Sequence, residues 1–227
     1  MTAHPKVTLV TCKSMPNLFK DEEGLLDELA ARGCDPQIKV WNDPDVDWSE
    51  AGMVVVRSVS DYASDRPAFL EWTKQLSRVQ NSADVLNWNT DKHYLKDLAA
   101  LGMPTIPTNW LEPEQNLSKH QIHTRFPAFG EFVVKPAVSS GVRDIGRYTT
   151  VDTRQRQAAM RQVQGLLGDG RSVMIQRYVE EIDLHGEISL VFFNGLVSHA
   201  VEKRSALHPA SVTNPEMHEA VVTAEAA

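Results

Sequence analysis

The sequence predicts an α/β protein that begins with a doubly wound parallel sheet and continues into a part built on antiparallel strands. Near the N-terminus, three short apolar runs surround one helical pattern, which is typical of a β-α-β-β start. Towards the C-terminus, Asn194-Gly195 separates two apolar runs, and this dipeptide is a strong signal for a two-residue hairpin turn. The 227 residues are enough for one large domain or two smaller ones.

The first half of the chain alternates strand and helix patterns. Acidic residues in the first turn and a glycine at the C′ position define the first helix, Asp21–Arg32. Thr90 is placed to cap a helix that starts at Asp91 and ends at Gly102, before Pro104. The predicted elements, in order, are the strands Val7–Cys12, Ile38–Trp41 and Met53–Val56, the helices Pro67–Arg78 and Asp91–Gly102, and the strand Thr105–Trp110.

The second half reads as a linker followed by strands around one long helix. The polar stretch Glu112–His123 is expected to connect the two halves. Asp152 and Gln155 have the spacing of a capping box and start the long helix. The predicted elements are the strand Phe132–Val134, the strand Arg147–Thr150, the helix Asp152–Leu167, the strand Ser172–Tyr178 and the hairpin of Ile188–Phe193 with Val197–Val201.

Composition excludes several classes of function. A net charge of −7 and a pI near 5.6 argue against a general nucleic-acid binder, which needs a basic face. No apolar run has the length of a membrane span, and the N-terminus lacks a signal-peptide core, so we expect a cytoplasmic protein. With only Cys12 and Cys34, neither a disulfide framework nor a zinc cluster is expected, and each cysteine reads better as a buried apolar residue than as a nucleophile.

The segment EFVVKPAVSSGVRDIGR, residues 131–147, concentrates the charge and the flexibility that an anion site requires. A buried strand delivers Lys135 at its end, and the small-residue loop Ser139-Ser140-Gly141 can bring backbone N–H groups close to an anion. Arg143 and Arg147 add positive charge. This pattern fits a triphosphate held under a hairpin flap, and it equally fits a surface hairpin with a basic tip. No Walker-type motif is present.

Two further cations, Arg57 and Lys92, are candidate anion ligands. Arg57 leaves the third strand directly, where it can clamp a carboxylate or phosphate, with Asp61 and Tyr62 just behind it. An Arg57–Asp61 ion pair that only fixes the loop is the alternative. Lys92 falls in the first turn of the helix capped by Thr90, where a cation is unfavourable unless an anion lies nearby, although a solvated lysine is the simpler explanation.

Taken together and in order, the motifs resemble the ATP-grasp superfamily. The resemblance is to its glutathione-synthetase-like ligases, and within them to the small ATP-grasp proteins related to the ligase that closes the D-cycloserine ring. The matching runs cover most of residues 7–204 and are VTLVTC, VVVRSVSDY, LNWNTDKHYL, FVVKPAVSSGVRDIGRY, VMIQRYVEEI and GEISLVFFNGLVSHAVEKR.

The resemblance implies roles for individual residues. Lys92 and Lys135 correspond to the two nucleotide lysines, and Glu187 is a better fit than Glu180 for the residue that holds the ribose hydroxyls. Arg57 and Asp61 face the acceptor substrate by analogy. The other positions implied are the phosphate loop Ser139, Ser140 and Gly141, the adenine hinge Gln176, Arg177, Tyr178 and Val179, and the catalytic cations Lys203 and Arg204.

The function that the resemblance implies is an ATP-dependent ligase that joins a carboxylate to an amine through an acyl phosphate. ATP and Mg²⁺ are the expected cofactors, an amino-acid-like metabolite the expected substrate, and a homo-oligomer is left open. The alternative is an ATP-binding fragment, or a degenerate relative, without turnover.

The end of the chain departs from the family pattern. The final strand that supplies the glutamate and asparagine for Mg²⁺ is not found, so we assign no metal ligand and expect a C-terminally truncated ATP-grasp protein. Residues 1–111 are then the N-terminal domain and 112–227 an incomplete nucleotide-binding domain. A helix is predicted from Asn214, with Met217, Ala220, Val221 and Ala224 on its apolar face. We expect residues 1–227 to bind nucleotide weakly, if at all, and to show no metal-dependent turnover.

Overall fold

The computed structural model describes residues 4–22, 24–203, 205, 207 and 222–225. The chain forms two compact units. The first contains residues 1–105 together with the short segment 137–143, and the second contains residues 106–136 and 144–227. Across the described residues, no helix combines the length and the apolar composition needed to cross a membrane.

The first unit is built on a parallel sheet, as the sequence predicts. Its strand order is β2-β1-β3-β4, so the first strand in the chain lies inside the sheet. The strands are β1 (Lys6–Thr11), β2 (Asp35–Val40), β3 (Met53–Ser58) and β4 (Val79–Gln80). The helices are α1 (Leu25–Ala31), α2 (Arg66–Lys74), α3 (Ala83–Asn89) and α4 (Tyr94–Ala100).

Two apolar clusters hold the first unit together. On one side, leucines of α1 pack against Val7 and Leu9 of β1, and α1 ends at a left-handed Gly33 whose N–H donates to the carbonyl of Ala30 at 2.9 Å. On the other, Trp41 meets Phe69 edge to face, with ring centroids 5.4 Å apart. Cys12 is fully buried in this second cluster, as expected.

The second unit contains two antiparallel sheets. One has the order β5-β8-β6-β7 and the other the order β11-β10-β9. The strands are β5 (Thr108–Leu111), β6 (Glu131–Pro136), β7 (Gly146–Thr149), β8 (Val173–Arg177), β9 (Glu187–Phe193), β10 (Leu196–Lys203) and β11 (Val222–Glu225). The helices are α5 (Lys119–His123), α6 (Thr153–Gly168) and α7 (Glu181–His185). The predicted fold class is therefore confirmed.

The core of the second unit lies between α6 and the four-stranded sheet. Phe132 and Val134 of β6 are fully buried, and α6 packs its inward side chains Ala159, Val163 and Leu166 onto them. Asp152 caps α6 by accepting from the N–H groups of Arg154 and Gln155. These residues are the ones that the helical periodicity places inside.

The β9–β10 hairpin forms at the predicted dipeptide. Asn194 and Gly195 have φ values of 50° and 81°, as both central residues of a type I′ turn require. One face of the hairpin is apolar and exposed, since Ile188, Leu190 and Phe192 keep 70%, 57% and 53% of their surface accessible. The hairpin therefore presents an apolar face to solvent.

The region around Thr90 differs from the prediction. A helix that the sequence reading missed, α3, begins at a cap made by Ser82 and ends at Thr90. The Thr90 hydroxyl donates back to the Leu86 carbonyl at 2.6 Å and accepts from Arg66, so Thr90 closes one helix instead of opening the next. Lys92 consequently lies in the turn before α4, not in the first turn of a helix.

Two other stretches of the chain also differ from the sequence prediction. The expected linker Glu112–His123 contains a 3₁₀ turn and α5, and the buried Ile122 joins the core of the second unit. The start of the helix expected from Asn214 lies outside the described residues, but its last part is wrong. Val222–Glu225 is a strand that pairs antiparallel with β10, in keeping with the strand preference of valine and threonine.

Candidate functional site

The first unit brings Lys92 together with the predicted phosphate loop. The Lys92 ammonium donates to the Ser139 hydroxyl at 2.8 Å and to the Ser139 carbonyl at 3.0 Å, and its backbone N–H donates to the carbonyl of Ala137 at 3.0 Å. A lysine carries three donors and no acceptor, so two of its N–H groups are engaged by one serine. Two residues that the resemblance assigned to the nucleotide phosphates thus lie in direct contact.

Tyr62 also contacts the same serine. Its hydroxyl donates to the Ser139 carbonyl at 3.2 Å, and burial raises the pKa of this hydroxyl, which keeps it a donor at neutral pH. In the sequence, Tyr62 is notable only as a neighbour of Arg57. The RSVSDY segment is therefore physically linked to the phosphate loop inside the first unit.

The rest of the loop is more open. Ser139 is buried, Ser140 is half-buried, and Gly141 is exposed with a positive φ of 63° that only glycine adopts without strain. A side chain at Gly141 would meet no atom within 4 Å. Arg143 is exposed and donates to the Ser64 hydroxyl at 3.2 Å. The preference for glycine at this position therefore comes from the backbone conformation and not from crowding by neighbouring atoms.

Arg57 lies at the carboxyl end of β3, and a buried carboxylate orients it. Its guanidinium meets Glu22 at 2.5 Å, and Glu22 also accepts from the Ser58 hydroxyl. Glu22 is 8% exposed, whereas the Arg57 side chain is 45% exposed. A guanidinium has five donors, so one edge can face Glu22 while another faces solvent. Glu22 was missed because its polar partners lie far away in sequence.

Asp61 does not pair with Arg57. Its carboxylate accepts from the indole N–H of Trp41 at 2.7 Å, which anchors the 3₁₀ turn Ser60–Ser64 to the end of β2. The ion pair considered as an alternative is therefore absent between these two described residues, and Arg57 and Asp61 have separate anchors.

In the second unit, Lys135, Glu187 and Lys203 form a charged group. Lys135 stands at the end of β6, where burial lowers its pKa and the nearby Glu187 carboxylate opposes that change. Glu187 begins β9 and is the direct cross-strand partner of Lys203, the last residue of β10. Directly opposite residues of an antiparallel pair have Cβ atoms about 4.5–5.5 Å apart. Glu187 is therefore placed near both Lys135 and Lys203.

The predicted adenine hinge covers the last two residues of β8 and the two residues that follow the strand. Gln176 is buried and donates from its side-chain amide to the Thr108 hydroxyl at 2.7 Å. Arg177 is exposed and covers the ring of Phe129, with 4.5 Å between the guanidinium carbon and the ring centroid. The Tyr178 N–H donates to the Glu131 carbonyl at 2.9 Å, and the Val179 carbonyl accepts from Ile182. Each of the four hinge residues is thus held in place within the second unit, either by its side chain or by its backbone.

The structure changes the role expected of Arg147 and does not describe Arg204. Arg147, expected to add charge to the phosphate loop, instead pairs with Glu131 and with Asp183 in the interior of the second unit. Arg204 lies outside the described residues, between Lys203 and Ser205. Among the described residues, no group of three or more His, Cys, Asp or Glu side chains is arranged to hold a metal ion.

Comparison with known proteins decides the family. Residues 7–87 match the family model of the N-terminal domain of D-cycloserine synthetase DcsG. The cycloserine biosynthesis protein DcsG of Streptomyces lavendulae is 36% identical over 194 residues, covering 83% of this chain and 64% of that protein. The crystal structure of D-cycloserine synthetase DcsG superimposes with a TM-score of 0.79 at 34% identity, covering 90% of this chain and 69% of that one.

The chain belongs to the ATP-grasp family, among the relatives of D-cycloserine synthetase DcsG. D-alanyl-alanine synthetase A from Vibrio cholerae shares this ATP-grasp fold, with a TM-score of 0.66 at 15% identity, over 100% of this chain and 76% of that one. The family predicted from the sequence motifs is confirmed. The chain spans 64% of the length of the Streptomyces protein. We therefore propose an activity for this chain and do not assign one from the relatives.

Proposed function

We propose that the chain is an ATP-dependent ligase that joins a carboxylate to an amine through an acyl phosphate, the alternative being an ATP-binding protein without turnover. An amino-acid-like metabolite is the proposed substrate, since the relatives that support the family are named for D-cycloserine synthesis. The ligase class rests on the family, and the role proposed for each residue rests on its position described above.

The observation that carries the proposal is the half-buried ammonium of Lys135 at the end of β6. Burial lowers its pKa, and the nearby Glu187 carboxylate does not cancel that effect. A half-buried ammonium with depressed pKa is costly unless an anion compensates it. Phosphate oxygens of a nucleotide would supply that compensation, whereas a surface hairpin with a basic tip would leave Lys135 in solvent.

The chemistry requires positive charge and positioning, and no nucleophile from the protein. Transfer of the terminal phosphoryl group from ATP to a carboxylate gives ADP and an acyl phosphate, and attack by an amine then releases phosphate. Lys135 and Lys92 are proposed to donate to phosphate oxygens, and Lys203 with Arg204 to the transferred group. The proposed role of Arg57 is to hold the acceptor carboxylate with the donors that Glu22 leaves in solvent.

The hinge is proposed to hold the base. Gln176, Arg177, Tyr178 and Val179 follow one another out of β8, and the bond from Gln176 to Thr108 fixes the rotamer of a buried side chain. The proposed ribose partner is Glu187, and the proposed phosphate loop is Ser139, Ser140 and Gly141. Residues 1–111 and 112–227 remain the proposed domains.

Magnesium is expected in this family. Mg²⁺ prefers octahedral oxygen ligands and is held by one or two carboxylates together with substrate phosphates. Among the described residues, no group of three or more His, Cys, Asp or Glu side chains could hold a metal ion, so we assign no residue to Mg²⁺.

Two measurements test the proposal. Calorimetric titration with AMP-PNP, continued to millimolar concentration, should detect binding that GMP-PNP does not reproduce. ADP formation measured with each amino acid in turn then separates a ligase from an ATP-binding protein without turnover. Absence of any AMP-PNP binding would refute the proposal, whereas binding without amino-acid-dependent ADP formation would support the alternative.

A further inference from the structure

Arg147 is neutralised inside the second unit. Its side chain is 15% exposed and forms a fork with each of two carboxylates. Towards Glu131, Nε donates at 3.0 Å and Nη2 approaches the same oxygen. Towards Asp183, Nη1 donates at 3.0 Å and Nη2 lies at 2.8 Å. Burial alone would lower the pKa of Arg147, but the bonds to Asp183 and Glu131 outweigh it and raise the pKa. With two carboxylates on one guanidinium, Arg147 is not an anion ligand.

The same guanidinium covers Tyr178, the third residue of the proposed adenine hinge. Its central carbon lies 3.6 Å from the Tyr178 ring centroid, a close cation–π contact. The Tyr178 hydroxyl donates to Asp183, and its backbone N–H donates to the carbonyl of Glu131. Both carboxylate residues bound by Arg147 therefore also bind Tyr178. Arg147 completes a closed network around the residue at which β8 leaves the sheet.

The network also reaches the chain just beyond β10. The Tyr178 hydroxyl lies 3.1 Å from the hydroxyl of Ser205, which is 4% exposed. Arg147 Nη1 donates to the Leu207 carbonyl at 3.2 Å. Ser205 and Leu207 follow Lys203 and Arg204, the two cations proposed to act on the transferred phosphate. One arginine thus contacts two segments that are distant in sequence.

We propose that Arg147 is a positioning residue that joins the adenine hinge to the segment carrying Lys203 and Arg204. By fixing Tyr178 and the chain at Ser205 and Leu207 together, it sets the distance between the part that binds the base and the part that faces the phosphates. This inference rests on the proposed function, because it assigns a support to the nucleotide site named there.

The test compares Arg147→Lys with Arg156→Met. Lysine keeps the charge but loses the fork to the carboxylates and the flat contact with Tyr178. Arg156 is a matched control because it is a half-buried arginine of the same unit that contacts His123 on α5, away from the hinge. Hydrogen exchange without nucleotide is followed in peptides covering residues 174–186 and 200–207, and AMP-PNP affinity is measured by calorimetry.

We expect Arg147→Lys to speed exchange in both peptides and to weaken AMP-PNP binding by about fivefold, since coupled neighbours typically share interaction energies of this order. Arg156→Met should leave both peptides and the affinity unchanged within about twofold, as expected of an independent site. Unchanged exchange in either peptide, or unchanged affinity, would overturn the proposal. A wild-type protein that does not bind AMP-PNP would refute the proposed function, and the positioning role with it.

A second variant covers the case in which Arg147→Lys does not fold. Tyr178→Phe keeps the ring under the guanidinium and removes only the hydroxyl that contacts Asp183 and Ser205. It should speed exchange in the 200–207 peptide and weaken AMP-PNP binding less than Arg147→Lys does. If that peptide exchanges as in the wild type, the hinge is not tied to this segment and the proposal is wrong.

Discussion

Replacing Lys135 with methionine should separate nucleotide binding from stability. Methionine has a similar length and no charge, so the variant removes the ammonium from the end of β6 with little change in packing. A hydrogen bond to a charged group contributes roughly 1.5–3 kcal/mol. At 1.4 kcal/mol for each tenfold change, the Kd for AMP-PNP should rise by about 10- to 150-fold, measured by calorimetry.

The stability of the same variant should move the other way. Burial lowers the pKa of Lys135, so the folded state disfavours its charged form relative to the unfolded chain. Below the folded-state pKa both states carry the charge, and the destabilisation is complete. As the pH rises towards the ordinary lysine value near 10.4, the folded state releases its proton first and stability increases. Lys135→Met should therefore raise the Tm at pH 7, with a gain that shrinks at alkaline pH.

The control for this experiment is Lys119→Met, which removes an exposed lysine from the first turn of α5 in the same unit. It should leave the AMP-PNP affinity unchanged and show no such dependence of the Tm gain on pH. If Lys135→Met keeps the wild-type affinity while it folds normally, Lys135 is not a nucleotide ligand. If it lowers the Tm at pH 7, the burial cost assigned to the ammonium is wrong.

Three other predictions follow from contacts in the two units. If an added amino acid stimulates ADP formation, Arg57→Lys should raise the KM for that amino acid and leave AMP-PNP affinity unchanged, because charge remains but the geometry of the guanidinium is lost; a fall in AMP-PNP affinity would place Arg57 at the phosphates instead. Tyr62→Phe should speed hydrogen exchange of residues 137–143 by about two- to tenfold, the value of one hydrogen bond to the Ser139 carbonyl, and unchanged exchange would show that Lys92 alone holds the loop. Gly195→Ala should lower the Tm by about 2–4 °C, since its φ of 81° costs a side chain about 1 kcal/mol, whereas Gly165→Ala inside α6, where a Cβ meets no atom within 4 Å, should raise it; equal effects of the two would contradict the backbone argument.

Local signals in the sequence were enough for much of the fold. Val7–Cys12 and Phe132–Val134 are short, apolar and β-branched, and both became buried strands within a residue or two of the predicted bounds. Asn194-Gly195 fixed the hairpin because few other dipeptides adopt two positive φ angles. Such features depend on neighbours in sequence, so a single chain reveals them.

The errors have a different origin. Thr90 fits an N-cap and also fits the end of a helix that bonds back to the preceding turn, and the contact from Arg66 favours the second. The short helix α5 was read as linker because its surface is polar, while its contribution to the core is the single side chain Ile122. In each case the deciding contact comes from a residue far along the chain.

The role of a charged residue in the candidate site is equally hard to predict from the sequence alone. Lys135, Arg57 and Arg147 all follow or begin strands, and from the sequence each could hold an anion. The structure separates them by the carboxylates that surround them. Arg147 has two carboxylates and a stacked ring, so its charge is fully used within the protein. Arg57 has one buried carboxylate and an exposed edge, which suits it to orient a ligand rather than to attract one. Lys135 is half-buried, and the nearby Glu187 carboxylate does not cancel the effect of burial on its pKa, which stays lowered. Because an anion is drawn to uncompensated charge in a poorly solvated place, the end of β6 is where phosphate binding should be sought first.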